Sequence, residues 1–406
     1  MPDRKERLLG VDLMRMVAMI MIAYVHVLEN GGVLDLLSSG SIAKASGWTL
    51  EISGYCSANC FALISGYIGV RSKHKYSSLI VLYLQTLFYS VLITLLYALF
   101  SGNSMPGEMW LDSLFPFFRN TYWYFTGYAI VFLLAPLFHA FINRMNKKQA
   151  AVFMAALFTV FSIFPLVTGV QIPFVRRGYS AVWLAVMYIS GACISRHELY
   201  RVDHKWVYAL IYIASVLLNA LAVHFFSVFG FSTVIVISQI SPFVYISGVA
   251  LLLFFSSLSR IPNVLAKLIR FFSPLCFSAY LIHVHPVIWQ HLFSGAFEFL
   301  AAQPVPVMMA GVVLSGAAIF LVCALLDYPR HLLFQKTGIK PLISDLEMRI
   351  REKIKRTPQT KCALLRRRFI FRPEAGTPAR ILETAFYSRN PRRVHGGGIR
   401  AGSDCS

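Results

Sequence analysis

The sequence predicts an all-α, polytopic membrane protein with about ten transmembrane helices and both termini in the cytoplasm. Three observations carry this prediction. The first is composition: 57% of the 406 residues are hydrophobic and only 14% are charged, where soluble domains carry roughly 25% charge. Mean hydropathy is +0.62, and 33 Phe with 19 Tyr suit lipid-facing and interfacial packing. The second is a series of apolar runs long enough to cross a bilayer, over 9–28, 51–70, 78–100, 122–142, 149–168, 180–195, 206–226, 232–256, 274–294 and 306–326. The third is loop charge. Fifteen basic residues fall at the N-terminus and in the loops after runs two, four, six and eight, among them Arg71, Arg144, Arg201 and Lys267. The alternate loops hold only Lys44, Arg119, Arg176 and Arg177. That alternation is the positive-inside pattern.

The elements follow in order. Run one begins with Arg4, Lys5 and Arg7 like a signal peptide, but it lacks a small-residue cleavage site and nine more runs follow, so it reads as a mature helix. Run two contains Ser65-Gly66. No Gly-x-Ser-x-Gly elbow surrounds that serine, and small residues that let helices approach closely are the better reading, with Asn59 and Tyr67 supplying hydrogen bonds in the same bundle. Run six is short, and run nine is interrupted by Pro286. The predicted organisation is therefore a membrane domain over 1–335 and a basic cytoplasmic tail over 336–406. The tail carries 17 Lys and Arg against 6 Asp and Glu. Arg366 to Arg368, Pro373, Pro378 and Gly396 to Gly398 break any period there, so the tail reads as disordered and suited to anionic lipid.

The net charge of +20 is thus a tail property plus an orientation signal. No basic module with interleaved aromatics accompanies it, and nucleic acid is not an expected partner. The seven cysteines are scattered; Cys56 and Cys60 lie one turn apart, and small apolar fillers are the simplest reading. No metal-ligand spacing emerges, since His283-x-His285 has no third ligand nearby in sequence.

Ionisable side chains inside apolar runs mark functional sites. Arg15 and His26 both lie in run one, eleven steps apart. That spacing puts them within roughly 20° of one helix face and about 16 Å apart along it. Asp12 and Glu29 reach the same stripe at i, i+3. Glu29 is positioned to orient the His26 ring or raise its basicity. Arg15 keeps its proton and must meet an anion or a wet cavity; Asp12 is the nearest anion. Arg176 and Arg177 stand in an outer loop where orientation gives no reason for them, which leaves an anionic substrate or lipid headgroups as partners.

The run Gly10-Val-Asp12-Leu-Met-Arg15, followed by ten residues and His26, resembles the acyltransferase-3 family of bacterial ten-span membrane proteins that acylate surface glycans. Phe61-Ala-Leu-Ile-Ser65-Gly66-Tyr67 resembles the family's Phe-x-x-x-Ser-Gly-Tyr element. Tyr122-Trp123-Tyr124-Phe125 with Pro136 resembles its aromatic-to-proline fourth helix, and Tyr280-Leu-Ile-His283 its Tyr-Leu-x-His segment. The likeness covers roughly residues 7–330. It implies that His26 is catalytic, and a neutral imidazole can take the proton of an attacking hydroxyl. It implies an acyl-CoA donor, acetyl-CoA in the simplest case, whose phosphates or thioester carbonyl meet Arg15; pairing with Asp12 remains open beside this. Substrate contacts are expected at Tyr67, Trp123, His283, Arg176 and Arg177.

The resulting expectation is an O-acyltransferase of the bacterial inner membrane acting on a surface polysaccharide or lipid-linked glycan, with no metal. A transporter or flippase of a glycan or anionic substrate would also use ten helices and buried charges. A many-span glycan polymerase would carry a large outer loop, whereas the longest here, over 29–50 and 101–121, are about twenty residues.

Overall fold

In a computed structural model the described residues are 8–102 and 105–356, and among them every regular element is helical. The chain parts into two units at Met348/Arg349, within the last described helix; the first holds every side-chain contact and cavity considered below. Helix α1 (Leu9–Leu28) is followed by a short α2 (Val33–Leu36), then α3 (Ile42–Gly54) and α4 (Ser57–Gly69). The long α5 (Tyr76–Phe100) and short α6 (Gly107–Leu114) lead to α7 (Trp123–Ile142). Helices α8 (Lys147–Phe158) and α9 (Phe164–Thr168) are joined by a π turn, and α10 (Ala181–His197), α11 (Trp206–Val228) and α12 (Pro242–Ser256) follow. Next come α13 (Asn263–Phe272), α14 (Cys276–His283) and a single turn, α15 (Pro286–Ile288). Helices α16 (Val305–Lys336) and α17 (Ile339–Arg356) complete the described chain.

Seven of these segments are long and apolar enough to cross a membrane: Leu9–Leu36, Tyr76–Phe100, Trp123–Ile142, Lys147–Thr168, Trp206–Val228, Asn263–His283 and Val305–Lys336. The other three runs read from the sequence are shorter as helices. Run two is split between the end of α3 and α4, run six is the 17-residue α10, and run eight yields only the 15-residue α12 after turns at its start. Run nine also begins earlier than hydropathy suggests: Lys267 and Arg270, read as loop, stand on α13, whose face toward the bundle is Ala266 and Ile269.

Local chemistry sets these ends. Asn146 and Gln149 form a reciprocal capping box at α8, each backbone N–H donating to the other's side chain at 2.9 Å. Pro165 brings no N–H to the helix ladder, and the widened turn Thr159–Ile163 lies just before it. The predicted boundary at residue 336 falls at the end of α16, a continuous helix over Val305–Lys336. Helix α17 then stands inside the predicted tail, and the Glu347 carboxylate accepts the Tyr76 and Ser77 N–H groups at 3.1 and 2.9 Å, capping α5. The rest of the tail, 357–406, lies outside the described residues.

Helices α4 and α10 cross at closest range. A Cβ on Gly66 would meet the Tyr188 carbonyl oxygen at 1.8 Å, and one on Gly191 the Leu63 carbonyl oxygen at 2.1 Å. Backbone atoms cannot yield as a flexible side chain can, so the small residue in Ser65-Gly66 serves packing. Gly66→Val is expected to cost about 3 kcal/mol, read as a lower melting temperature of the detergent-purified protein.

Candidate active site

The stripe on α1 opens into a cavity of about 690 Å³, and Arg15, Met19, Ile22, His26 and Glu29 all line it. The period of 3.6 puts these side chains on one face. A second cavity, of about 950 Å³, takes Asp12, Tyr67, Arg71, Glu198 and Arg201 in its walls. The two share Arg15, Ser273 and Pro274. Arg15 therefore stands where they adjoin. Its Nη1 donates to Asp12 Oδ1 at 2.7 Å and to Ser273 Oγ at 3.2 Å, and Ser273 Oγ donates to Asp12 at 3.0 Å. The pairing with Asp12 that the sequence offered is present, and it still leaves the guanidinium facing both cavities.

A break in the bundle builds the far end. His285 is non-helical and its Nδ1 accepts the Val287 N–H at 3.2 Å, while Pro286 starts the next turn. Its Nε2 lies 3.2 Å from the Ser90 carbonyl, so His285 secures the break and lines neither cavity. The break carries Trp289 to His26, where the rings meet edge-on with centroids 4.7 Å apart. Asn30 Nδ2 donates to the Trp289 carbonyl at 3.0 Å, tying this turn to the end of α1. His26 Nδ1 lies 3.1 Å from His283 Nε2. The ring partner anticipated in Glu29 is thus supplied by His283.

Glu29 itself lines the cavity, and a second acid, Glu51, is buried close by on α3. Glu51 is 1% exposed, and its Oε1 accepts the Tyr55 hydroxyl at 2.5 Å. Sequence reasoning missed Glu51, although it is an acid on the first position of run two and the rule that singled out Arg15 applies to it. Gln239, Ser273, Trp289 and Gln290, also missed, line the cavity, whereas Glu51 stands behind its wall. They come from three distant stretches of chain, and no short motif joins them.

The other anticipated residues divide. Trp123 lines the His26 cavity, its ring 4.9 Å from that of Tyr179. Tyr67 lines the Asp12 cavity on the far side of Arg15. His283 is 3% exposed behind His26 and lines neither. Arg176 and Arg177 are exposed, both at positive φ, and also line neither; the neighbouring Tyr179 turns into the cavity. Of the other outer-loop cations, Arg119 Nε donates to Asp112 at 2.6 Å and Lys44 to the Leu34 carbonyl. Asn59, 0% exposed, donates to the Gln239 carbonyl at 2.9 Å and accepts the Trp183 indole N–H at 2.8 Å, a bond within the bundle. Among the described residues no group of three or more His, Cys, Asp and Glu is placed to hold a metal ion.

A cavity wall with a half-buried imidazole at one end and a guanidinium at the other can do two things. It can accept a proton from a hydroxyl, and it can hold an anion or a polarised carbonyl some 16 Å away along α1. Comparison with curated proteins finds no match, and no solved structure matches. A family model described as an acyltransferase domain matches residues 8–328. That stretch includes both cavities and most of the chain, and the protein belongs to the acyltransferase-3 family.

Proposed function

We propose that the protein moves an acetyl or other short acyl group from cytoplasmic acyl-CoA to a hydroxyl of a cell-surface polysaccharide or lipid-linked glycan. In this reading it spans the bacterial inner membrane about ten times, with both termini in the cytoplasm. The observation that carries the proposal is that Arg15 and His26 line one cavity. Family membership supplies the acyl-transfer chemistry.

The donor side is the second cavity. Arg15, Arg71 and Arg201 share it with Ser256 and Ser257, a set suited to phosphate groups. Glu198 lies 3.8 Å from Arg71 and 3.2 Å from Arg201 and holds their charges until the donor arrives. The acceptor side is the end with Glu29, Trp123, Tyr179, Gln239 and Trp289. Aromatic faces suit the C–H faces of a sugar ring, and carboxyl and amide groups suit its hydroxyls.

In the reaction, His26 takes the acceptor hydroxyl proton as the oxygen attacks the thioester carbonyl. The carbon–sulfur bond breaks, and the sulfur leaves with that proton as free coenzyme A. The test is acetyl-CoA labelled in its acetyl group, incubated with membranes containing the protein and extracted lipid-linked glycans. Label in the glycan with matching release of coenzyme A is the expected result. Glycan movement into vesicles without acyl-CoA, and with no coenzyme A released, would overturn the proposal in favour of a transporter.

A further inference from the structure

We infer that His283 is a positioning residue: it fixes which nitrogen of His26 carries the free lone pair. Its consequence for catalysis rests on the acyl transfer proposed above; the tautomer itself does not.

The argument starts at a backbone carbonyl. His283 Nδ1 lies 2.6 Å from the Ala279 carbonyl oxygen, one turn back on α14. A carbonyl only accepts, so Nδ1 carries a hydrogen. A neutral imidazole has one N–H, which leaves a lone pair on His283 Nε2. That lone pair faces His26 Nδ1 at 3.1 Å. His26 must therefore donate from Nδ1, and its own lone pair sits on Nε2. The opposite assignment needs a second proton on His283. The ring is 3% exposed, with Tyr280 at 6.5 Å and Phe293 at 6.3 Å between centroids. An unpaired charge there is costly.

Packing holds the His26 ring in this setting. Trp289 meets it edge-on at 4.7 Å, and Trp289 is itself stacked on Phe293 at 5.5 Å. A half-turn of His26 would put a carbon where Nδ1 stands and break the bond to His283. His26 thus presents Nε2 as its basic nitrogen on a ring that lines the cavity. When Nε2 takes the hydroxyl proton, the Nδ1–H bond to His283 becomes charge-assisted and stronger. The proton passes from Nε2 to the departing sulfur as the carbon–sulfur bond breaks. His283 keeps its own hydrogen throughout and touches neither substrate.

The experiment has two arms. In the first, the full chain carrying ¹⁵N-labelled imidazoles is examined by NMR in detergent, with the His26 signals identified by their loss in His26→Gln. The expected signals are a protonated Nδ1 and an unprotonated Nε2, becoming mixed in His283→Leu. A protonated Nε2 in the native protein, or no change in the variant, overturns the inference. In the second, labelled acetyl-CoA and glycan extract are turned over by membranes holding equal amounts of each variant. His283→Leu is expected to lower kcat roughly 10²-fold, the scale of losing an orienting partner, with the KM for acetyl-CoA unchanged. His283→Gln, whose Oε1 can accept the Nδ1–H, is expected to recover at least about tenfold of that loss. Native kcat in His283→Leu, a KM that rises in step with the loss, or no recovery in His283→Gln overturns the inference. Should His283→Leu fail to accumulate, the native spectrum and the kcat of His283→Gln decide. A native protein that consumes no acetyl-CoA sinks the acyl-transfer proposal, while the spectrum still reports on the pair.

Discussion

His26→Gln membranes are expected to transfer labelled acetyl groups roughly 10²- to 10⁴-fold more slowly than native membranes, the usual worth of a positioned general base. Glutamine keeps polar bulk in the cavity wall and can still reach toward His283 and Trp289, so the shape of the acceptor end changes little. It cannot take a proton at neutral pH. The hydroxyl would then have to attack the thioester while still protonated, or lose its proton to water, a far weaker base than imidazole. The donor end is untouched, because Arg15 with Asp12 and Ser273 lies about 16 Å away along α1. The loss should therefore appear in kcat, with acetyl-CoA binding intact. A residual rate above background is expected, since both substrates are still held together. The decisive measurement is initial rate at saturating acetyl-CoA, normalised to the protein in the membrane. A native rate in this variant would remove His26 from the chemistry.

The part of the site on one helix could be read from the sequence, because a period of 3.6 is a property of sequence alone. Arg15, His26 and Glu29 needed only their spacing to be put on a shared face. The opposing walls come together only in three dimensions. Gln239 arrives from turns before α12, Trp289 from a broken helix, and Tyr55 from the junction of α3 and α4. Hydropathy registers how apolar a stretch is and is blind to where its backbone breaks. It therefore ran one span through Tyr55 and Cys56, where α3 stops and α4 starts, and another through the His285 cap. Family likeness pointed to His283 as a substrate contact, whereas its ring lies behind His26 and lines neither cavity. The sequence does not register its bond to the Ala279 carbonyl, which leaves its other nitrogen facing His26.

The same blindness hid a buried ion pair, because the last apolar run was closed at residue 326. Asp327 follows immediately and is 0% exposed on α16, with Arg330 one turn on. Arg330 grips it twice, Nε to Oδ1 and Nη2 to Oδ2, each at 2.7 Å. The Tyr89 hydroxyl of α5 donates to Asp327 Oδ1 at 2.5 Å. On α14, Ser278 Oγ lies 3.5 Å from Arg330 Nη2 and also receives the Gln85 amide of α5. The Asp327–Arg330 pair thus links three helices, α5 through the carboxylate and α14 through the guanidinium. Such a pair adds little net stability over apolar packing, since desolvation offsets much of its attraction, but half of it is worse than none. Asp327→Leu leaves the Arg330 guanidinium buried without its counter-charge and the Tyr89 hydroxyl without its acceptor. It is expected to cost about 3–5 kcal/mol, enough to deplete the protein from membranes. Asp327→Leu with Arg330→Met removes the stranded charge and is expected to recover most of that loss, though not the Tyr89 bond. Melting temperatures of the detergent-purified single and double variants measure both terms. If the double variant is no more stable than Asp327→Leu alone, the damage does not come from an unpaired cation, and Asp327 holds the helices through Tyr89 instead.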